Sequence, residues 1–484
     1  MDTFSVSLAS DIPRSSLAGS EEPTLYYWMI RLLLAFASIA LPGVLIGAEG
    51  PNIIYILADD LGYGDLGSYG QTTLKTPALD KMAKEGIRFT RHYSGSTVCA
   101  PSRAVLMTGL HTGNVSVRGN SVAALKETTI ATVLKRAGYR TACIGKWGVG
   151  HPPPLDDPNK HGFDHFYGYV NMFHAHNFYP SFLVRNGKKE VLGNTQIEAF
   201  RENPPDREGR GVSEEKIEYA PELITQDALR FIRENHEDTF FLYYALNIPH
   251  ANNEGGRYDR GMEVPDHGGF ASKPWPKPEK GFATMIKRID DDVGRILSLL
   301  QTLEIDDNTL VFFSSDNGPH QEGGHRMEFF DSNGDRRGMK RDLYEGGVRV
   351  PLIARWPGKI EAGRVVDDVT AFQDLMPTLC ELTDVKAPKN DGMSMLSLLL
   401  DLSHSIGDRS LYWEFGERGG KQAMLENEWK LIRLGLDDPV YELYNVVEDV
   451  SEMNNVISKY PEIASSLKKQ LESIPDRQSV FYRK

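Results

Sequence analysis

Four strand-like segments, each followed by charged or polar residues, constrain the fold of this chain most. They cover residues 53–58 (IIYILA), 141–144, 240–245 and 310–313. Runs that are largely apolar on both sides fit strands inside a parallel sheet whose two faces are covered. Because helical patterns alternate with these runs, the sequence predicts an α/β sandwich with a large, mostly parallel central sheet flanked by helices.

Helix and loop signals lie between these strands. Residues 76–86 combine Thr76 as a cap, a proline in the first turn and a terminal glycine, which predicts a helix. Residues 150–215, rich in Pro, Gly, Asn and His, are predicted to form long surface excursions over one end of the sheet, and residues 251–281 look similar. Further elements are predicted at residues 129–137, 282–303, 410–413, 429–432 and 461–473.

The N-terminal segment has the layout of a secretory signal peptide. Residues 32–46 are apolar but shorter than a membrane span, with Arg31 before them and small residues after them. Met29 fits the true start, with cleavage near Ala48, and an uncleaved N-terminal membrane anchor is the alternative. Either reading predicts export to the periplasm or the extracellular space. The predicted divisions are a leader and signal peptide at 1–48, a catalytic domain at 49–370 and a smaller C-terminal α+β subdomain at 371–484.

Polar side chains follow all four strands. Ligands of an open α/β sheet bind beyond the carboxyl ends of its strands, so these side chains are expected on one rim. Three carboxylates and an amide oxygen form a hard ligand set that suits Ca²⁺, or less well Mg²⁺, and not zinc. A cation is also needed to keep three buried negative charges together. The rim residues are Asp59, Asp60, Lys146, His250, Asp316 and Asn317.

Cys99 stands apart from the other two cysteines. Cys143 and Cys380 lie in apolar or helical stretches and are interpreted as buried hydrophobic residues, and three cysteines cannot form a disulfide framework. Cys99 has small polar neighbours, precedes a proline suited to a helix start and has Arg103 one turn further on. The residues alone therefore suggest a thiolate of lowered pKa near a metal, with no specific partner His.

These motifs together resemble the signature of the type I, formylglycine-dependent sulfatases. Residues 99–103 (CAPSR), with Thr-Gly at 108–109, match the signature itself. The resemblance covers about residues 51–470, is similar to an arylsulfatase A-like bacterial subgroup, and implies an alkaline phosphatase-like fold and a sulfuric ester hydrolase. The other matching motifs are NIIYILADD at 52–60, GKW at 145–147, SDNG at 315–318, Lys340 ahead of YEGGVR at 344–349, and YELYN at 441–445.

The resemblance implies a role for each site residue. A maturation enzyme would oxidise Cys99 to formylglycine, whose hydrated form attacks sulfur, releases the alcohol and then expels sulfate. Arg103 and Lys146 would stabilise the diol and its alkoxide. His250 and Lys340 would bind the sulfate oxygens, one of them assisting protonation of the leaving group. The implied calcium ligands are Asp59, Asp60, Asp316 and Asn317.

One position departs from the family pattern. Many members carry a His two residues after the Lys of GKW, where this chain has Gly148, and that imidazole helps to deprotonate the diol. His176 or His174 is a candidate replacement, ordinary loop residues being the alternative, and His151 also lies nearby in sequence. His320, beside the metal strand, is a candidate for substrate contact or for a structural role in its loop.

Composition and loop length limit the classes of molecule that this protein is expected to bind. The net charge of −13 argues against nucleic acid or an anionic membrane as a partner. A sulfated polysaccharide is preferred over a small aryl sulfate, because long loops over the rim suit a carbohydrate. The alternatives are a phosphate or phosphonate ester hydrolase of the same fold, and a non-catalytic glycan-binding relative whose Cys99 stays unmodified. The sequence specifies no oligomeric state.

Overall fold

The computed structural model describes residues 50–120, 124–149, 157–400, 405–435 and 437–474, which lie in one unit, Gly47–Lys484. The predicted leader at 1–48 and His151 fall outside these residues. Within the described part, no helix combines the length and the apolar character needed to cross a bilayer.

The strands and helices are numbered along the chain. The strands are β1 (Asn52–Asp59), β2 (Ile87–Tyr93), β3 (Arg140–Lys146), β4 (His165–Tyr169), β5 (Phe182–Arg185), β6 (Lys188–Val191), β7 (Thr195–Gln196), β8 (Ser213–Glu215), β9 (Phe240–Pro249), β10 (Thr309–Ser315), β11 (Arg349–Arg355), β12 (Arg364–Val366), β13 (Thr370–Ala371), β14 (Ser410–Phe415), β15 (Lys421–Glu426), β16 (Trp429–Leu434) and β17 (Val440–Asn445). The helices are α1 (Pro77–Glu85), α2 (Cys99–Thr108), α3 (Ile130–Arg136), α4 (Ala220–Glu234), α5 (Lys277–Thr302), α6 (Glu345–Val348), α7 (Leu375–Leu382), α8 (Leu396–Leu400) and α9 (Pro461–Ser473).

The central sheet places the four predicted strands side by side. Its order is β12-β2-β11-β10-β1-β9-β3-β4-β5-β6, and β13 also pairs with β2. The run β10-β1-β9-β3-β4 is parallel throughout, whereas β11 is antiparallel to both its neighbours and β5 and β6 add an antiparallel edge. The predicted mostly parallel sheet is confirmed.

Strand β1 shows why this sheet has helices on both faces. Ile54 and Ile56 belong to one apolar cluster and Ile53 and Tyr55 to another, because alternate side chains of a strand point to opposite faces. Helices α1, α4 and α5 cover the first cluster, and α2, α3 and α7 cover the second. Each fully buried side chain of this kind stabilises the fold by about 1.5–3 kcal/mol.

The helices that the sequence predicts agree closely with their predicted positions, with two differences, whereas α4 is not among the predicted elements. Helix α1 has the predicted bounds, but the Thr76 hydroxyl does not cap it and instead donates to Asp80 Oδ1 at 3.1 Å. Helix α5 begins at Lys277, five residues before its predicted start, because Pro278 in its first turn suits a helix start and does not end the preceding loop.

Residues 150–215 are predicted to form long surface excursions, and this prediction is wrong for the segment that joins the central sheet. They contain β4, which continues the parallel run beside β3, and the short strands β5 to β8. Strand β4 has five residues, one of them Gly168 with φ of 145°, where an added Cβ would lie 2.0 Å from the Gly145 carbonyl oxygen. A short strand that needs glycine for close backbone approach lacks the apolar pattern that marks its neighbours.

A second, antiparallel sheet forms from the predicted C-terminal elements. Its order is β14-β15-β16-β17, and helix α9 packs on it. Strand β13 ends at Ala371 in the central sheet, and the second sheet begins at Ser410. The domain boundary at residue 370 stays a prediction.

A buried ion network links the second sheet to α6. Lys430 of β16 is 0% exposed, and its Nζ lies 3.0 Å from Glu345 Oε1 and 3.1 Å from Glu452 Oε1. Arg349 also contacts Glu345, at 3.2 Å. Two buried carboxylates thus share one ammonium, so removing Lys430 would leave uncompensated charge in the interior.

Tyr69→Phe is expected to lower the free energy of unfolding by about 1–3 kcal/mol, because it leaves buried backbone groups without a partner. The Tyr69 hydroxyl lies 3.0 Å from the Phe89 carbonyl oxygen and 2.8 Å from that of Leu352, and it accepts the Leu352 N–H at 3.0 Å, where the pairing of β2 with β11 shifts register. Denaturant titration measures the change, with exposed Tyr258→Phe as the control. Equal stability of the two variants would contradict this role.

Candidate active site at the carboxyl ends of the central strands

The carboxyl ends of β1 and β10 bring the four predicted metal ligands together. Asp59 ends β1, and Asp60 follows with φ of 63°, a left-handed conformation that Asp tolerates better than most residues. The Asp60 N–H donates to Asp316 Oδ1 at 3.1 Å, and Asn317 Nδ2 donates to Asp60 Oδ1 at 2.7 Å. All four side chains are buried.

Two buried cations hold this group of carboxylates. Arg103 of α2 donates to Asp316 Oδ2 through Nε at 2.9 Å and lies 2.8 Å from the same oxygen through Nη2. Lys146, the last residue of β3, donates to Asp59 Oδ2 at 2.7 Å. Arg103 also donates to the Lys146 carbonyl oxygen at 2.6 Å. Charge-assisted bonds of this length fix the direction of each cation.

Lys340 and His250 lie beside Asp60 in the same site. Lys340 Nζ lies 2.7 Å from Asp60 Oδ2 and 2.9 Å from His250 Nε2. His250 Nδ1 lies 2.6 Å from the Ala251 carbonyl oxygen, which assigns the ring proton to Nδ1 and leaves Nε2 to accept from Lys340. Burial and then the Lys340 charge hold the pKa of His250 well below its usual value, so the ring is neutral.

Cys99 lies at the centre of these groups. It is the first residue of α2, is 2% exposed, and its Sγ lies within 4.8 Å of ligand atoms of Asp59, Asp60 and His250. Burial raises the pKa of the Cys99 thiol, and the positive charges of Lys146 and Lys340 offset this only in part. The thiolate of lowered pKa suggested by the residues alone is therefore wrong.

The carboxylates at the rim repel one another. Burial and the charge of Asp59 raise the pKa of Asp316 to about 7, although Arg103 is bound to it. Burial also raises the pKa of Asp59, but the neighbouring positive charges, Lys146 first, outweigh burial and hold this pKa below its usual value. Additional positive charge at the rim would relieve the repulsion.

Two buried oxygen atoms at the rim are available to a metal ion. Asp59 Oδ1 and Asn317 Oδ1 have no hydrogen-bond partner among the described residues, and Arg103 Nη2 lies 3.6 Å from Asp59 Oδ1. Buried polar atoms are rarely left without a partner. Carboxylate and amide oxygens are ligands that Ca²⁺ prefers, so these residues fit a calcium-type ion.

A neighbouring acidic group is already occupied by protein contacts. Ligand atoms of Asp60, His320 and Glu322 also lie within 4.8 Å of one another. The Lys340 ammonium, however, lies 2.7 Å from Asp60 and 3.5 Å from Glu322. Both His320 nitrogens are engaged, Nε2 with the Pro249 carbonyl oxygen and Nδ1 with the Glu322 N–H, each at 3.0 Å. Among the described residues, this second group is thus already satisfied by Lys340 and by the bonds of His320.

Gly148 lies directly beside Arg103 and Lys146. Its φ is 69°, and an added Cβ would lie 3.3 Å from Arg103 Cδ and 3.3 Å from Lys146 Cε. A side chain here would start between the two cations, which is where the family pattern places an imidazole. In this chain the backbone is left-handed at that point, a conformation that favours glycine.

The candidate histidines lie in three different environments. His176 stacks on His250 with ring centroids 4.8 Å apart and 14° between the ring planes. His174 contacts Tyr169 and Phe182 instead, and its Nε2 lies 2.9 Å from the Phe182 carbonyl oxygen, so it is engaged in its own loop. His320 lies 6.0 Å from His250 between ring centroids, within its bonded loop.

Two acidic residues near the site were not identified from the sequence. Glu322 contacts Arg341 at 2.7 Å and Lys340 at 3.5 Å, and Glu254 contacts His176 at 3.1 Å. The position of Glu322 six residues after the metal strand's Asp316 was the available signal for the first. No sequence pattern marks Glu254.

Profiles of known protein families match almost the whole described chain. The profile described as Sulfatase matches residues 51–385, and that of the N-sulphoglucosamine sulphohydrolase C-terminal region matches residues 336–477. The two matches overlap around the segment that carries Lys340. The first covers more than half of the chain.

Characterised relatives and a solved structure agree with these matches. The N-acetylgalactosamine-6-sulfatase of Rattus norvegicus is 35% identical over 430 residues, which cover 80% of this chain and 74% of the relative. The N-acetylgalactosamine-6-O-sulfatase of Bacteroides thetaiotaomicron is 30% identical over 503 residues, covering 89% and 94%. The structure of Ps i-CgsB in complex with k-i-k-neocarrahexaose superposes with a TM-score of 0.72 at 26% identity, covering 88% and 92%.

The fold, the profile matches and the relatives lead to one assignment. The central sheet and the smaller C-terminal sheet confirm the predicted alkaline phosphatase-like architecture. The profile covers the segments that supply Cys99, Lys146, His250 and Lys340. This chain belongs to the sulfatase family and is a sulfuric ester hydrolase.

Proposed function

We propose that this enzyme removes sulfate from a sulfated carbohydrate with a formylglycine formed from Cys99 beside a calcium ion. The observation that carries the proposal is the position of Cys99 at the start of α2, with Sγ within 4.8 Å of Asp59, Asp60 and His250. A nucleophile there is close both to the metal ligands and to the positive end of a helix.

Burial raises the pKa of the Cys99 thiol, so the unmodified thiol would be a poor nucleophile. Conversion to formylglycine would replace it with a group that can react. Once formed and hydrated, the aldehyde supplies one oxygen that attacks sulfur and a second that expels the bound sulfate. Cys99 is 2% exposed in the folded chain. A formylglycine-generating or sulfatase-maturing enzyme is therefore expected to act before folding is complete.

The cations provide the electrostatic stabilisation. Arg103 and Lys146, which contact Asp316 and Asp59, hold positive charge next to the position of the nucleophile. Lys340 and neutral His250 are bonded to each other, so together they can bind sulfate oxygens and deliver a proton to the departing alcohol. Preorganised charges of this kind act on the charge that develops during transfer.

Calcium is the metal that the residues support best. Asp59, Asp60, Asp316 and Asn317 would hold it through oxygen atoms, in an irregular arrangement that Ca²⁺ accepts more readily than Mg²⁺. The ion would hold a sulfate oxygen and offset the repulsion between the carboxylates.

A sulfated glycan is the proposed substrate class. One relative is named N-acetylgalactosamine-6-sulfatase and another N-acetylgalactosamine-6-O-sulfatase, and a structural neighbour was solved with k-i-k-neocarrahexaose. His176, beside His250, is proposed to contact the substrate. Both His320 nitrogens are bonded within the protein, which favours the structural role for His320. The apolar run at 32–46 with Arg31 before it supports export by a signal peptide or an N-terminal anchor.

The proposal is tested on protein co-expressed with a maturation enzyme. Mass spectrometry of the Cys99 peptide is expected to show the aldehyde in place of the thiol. Desulfation is then measured on a panel of sulfated glycans, with an aryl sulfate and the matching phosphate ester beside it. Release of sulfate from a glycan is expected. An unmodified thiol in active protein, or faster phosphate release, would contradict the proposal and favour the glycan-binding or phosphoryl alternative.

A further inference from the structure

His176 is held against the active site by a carboxylate that has no other assigned role. The His176 side chain is 9% exposed, and its ring lies nearly parallel to that of His250 at 4.8 Å. Glu254 Oε2 lies 3.1 Å from His176 Nδ1. Glu254 is itself largely buried, with 14% of its side chain exposed. The two residues are 78 positions apart, so the fold creates this pair.

The loop that carries Glu254 is firmly attached to its surroundings. It begins at His250, just after β9, and the Asn252 N–H donates to the Gly261 carbonyl oxygen at 2.7 Å, which closes the loop. Asn252 Nδ2 donates to the Gly211 carbonyl oxygen at 2.9 Å. Arg210 lies 4.0 Å from the second oxygen of Glu254. The carboxylate therefore has a fixed direction, which a freely moving surface glutamate lacks.

The pair determines which nitrogen of His176 is available. A carboxylate next to Nδ1 accepts a hydrogen bond from an N–H at that position, which favours the tautomer in which Nε2 carries the free lone pair. Among the described residues, Nε2 has no hydrogen-bond partner, although the ring itself is buried against His250. An acceptor atom in this position suits a hydroxyl group.

His176 lies on the His250 side of the site and not in the place of the missing family imidazole. That place is beside Gly148, where an added Cβ would approach Arg103 and Lys146. His250, on which His176 stacks, contacts Lys340 instead. His176 is therefore close to the group that meets the departing alcohol, which in a sulfated sugar carries neighbouring hydroxyls.

We propose that Glu254 is a positioning residue, which orients His176 so that its Nε2 accepts a hydroxyl of the sugar that carries the reacting sulfate. This inference rests on the proposed function, because it assigns a sugar-specific contact within the same site. It predicts that the pair contributes to hydrolysis of sulfated sugars and not to hydrolysis of an aryl sulfate that has no hydroxyl.

Three variants test this assignment on mature enzyme. Glu254→Met removes the acceptor at similar size and is expected to lower kcat/KM about 10-fold on sulfated monosaccharides, beginning with N-acetylgalactosamine 6-sulfate. The rate on 4-nitrophenyl sulfate is expected to stay within about 2-fold, since that substrate offers no hydroxyl. Glu254→Gln keeps an oxygen that can accept a hydrogen bond from the Nδ1–H. This variant is therefore expected to recover most of the activity that Glu254→Met loses. Exposed Glu234→Gln, at the end of α4, is the matched control.

A double-mutant cycle separates positioning from a general structural effect. If Glu254 acts through His176, the pair His176→Ala with Glu254→Met loses no more sugar activity than His176→Ala alone. Equal loss on the sugar and on the aryl sulfate, or additive losses in the cycle, would overturn the inference. Wild-type enzyme that hydrolyses the aryl sulfate but no sugar would instead contradict the proposed substrate class.

Discussion

Cys99→Ala is expected to lower sulfatase activity by at least about 10³-fold, because it removes the nucleophile on which both covalent steps depend. The variant retains the buried cations, since Arg103, Lys146 and Lys340 are held by carboxylates and not by the thiol. Substrate binding is therefore expected to survive, and KM for residual turnover or the affinity for product sulfate measures it. The loss should appear in kcat.

Cys380→Ala is the matched control for this variant. Cys380 is a buried cysteine of α7, with its Sγ 3.9 Å from Met376 Sδ, and it belongs to the apolar cluster that α2, α3 and α7 cover. Its replacement is expected to leave kcat unchanged. If both variants keep the activity of the wild type, the assignment of Cys99 as the source of the nucleophile is wrong.

Asn317→Ala is expected to weaken calcium binding at least about 100-fold, which is the upper end of the loss seen when only an outer partner of a metal ligand is removed. Asn317 Oδ1 is buried and has no hydrogen-bond partner among the described residues, so the variant removes a proposed ligand. It also removes the Nδ2 bond to Asp60 Oδ1, which holds a second proposed ligand in place. Calorimetric titration of chelator-treated protein with Ca²⁺ measures the affinity. Activity at low calcium should fall in parallel and recover when calcium is added in excess.

Metal removal from the wild type provides the complementary measurement. A calcium chelator is expected to lower the melting temperature, since a ligand at 100 times its dissociation constant stabilises the folded state by about 2.7 kcal/mol. Exposed Asn454→Ala is the control and should bind calcium as the wild type does. Unchanged stability and activity after chelation would contradict a bound cation at this rim.

The rim could be predicted from sequence because local patterns determine it. Each apolar run predicts a strand, and the residue after it is carried to the same edge of a parallel sheet. Asp59 and Lys146 end their strands, and Asp316 directly follows its own. Cys99 could be placed at a helix start because the proline two residues on signals one.

The remaining features depend on contacts between distant segments. Glu254 approaches His176 only because the loop after β9 folds back over the loop after β4. Strand β4 itself was missed because five residues with an internal glycine carry little periodicity. The protonation of Cys99 was also predicted wrongly, since its burial depends on packing that no local pattern records.

The Lys430 ion network has a consequence for how members of this family could be recombined. Glu345, which Lys430 neutralises, lies five residues after Lys340, so a strand of the second sheet anchors the segment that delivers an active-site cation. A chimaera that takes its C-terminal sheet from a relative would need a cation at the same register of the strand. Without it, we expect the graft to disturb sulfate binding through the segment that carries Lys340. We therefore expect the positive charge at Lys430 to limit which relatives can donate a C-terminal sheet to this chain.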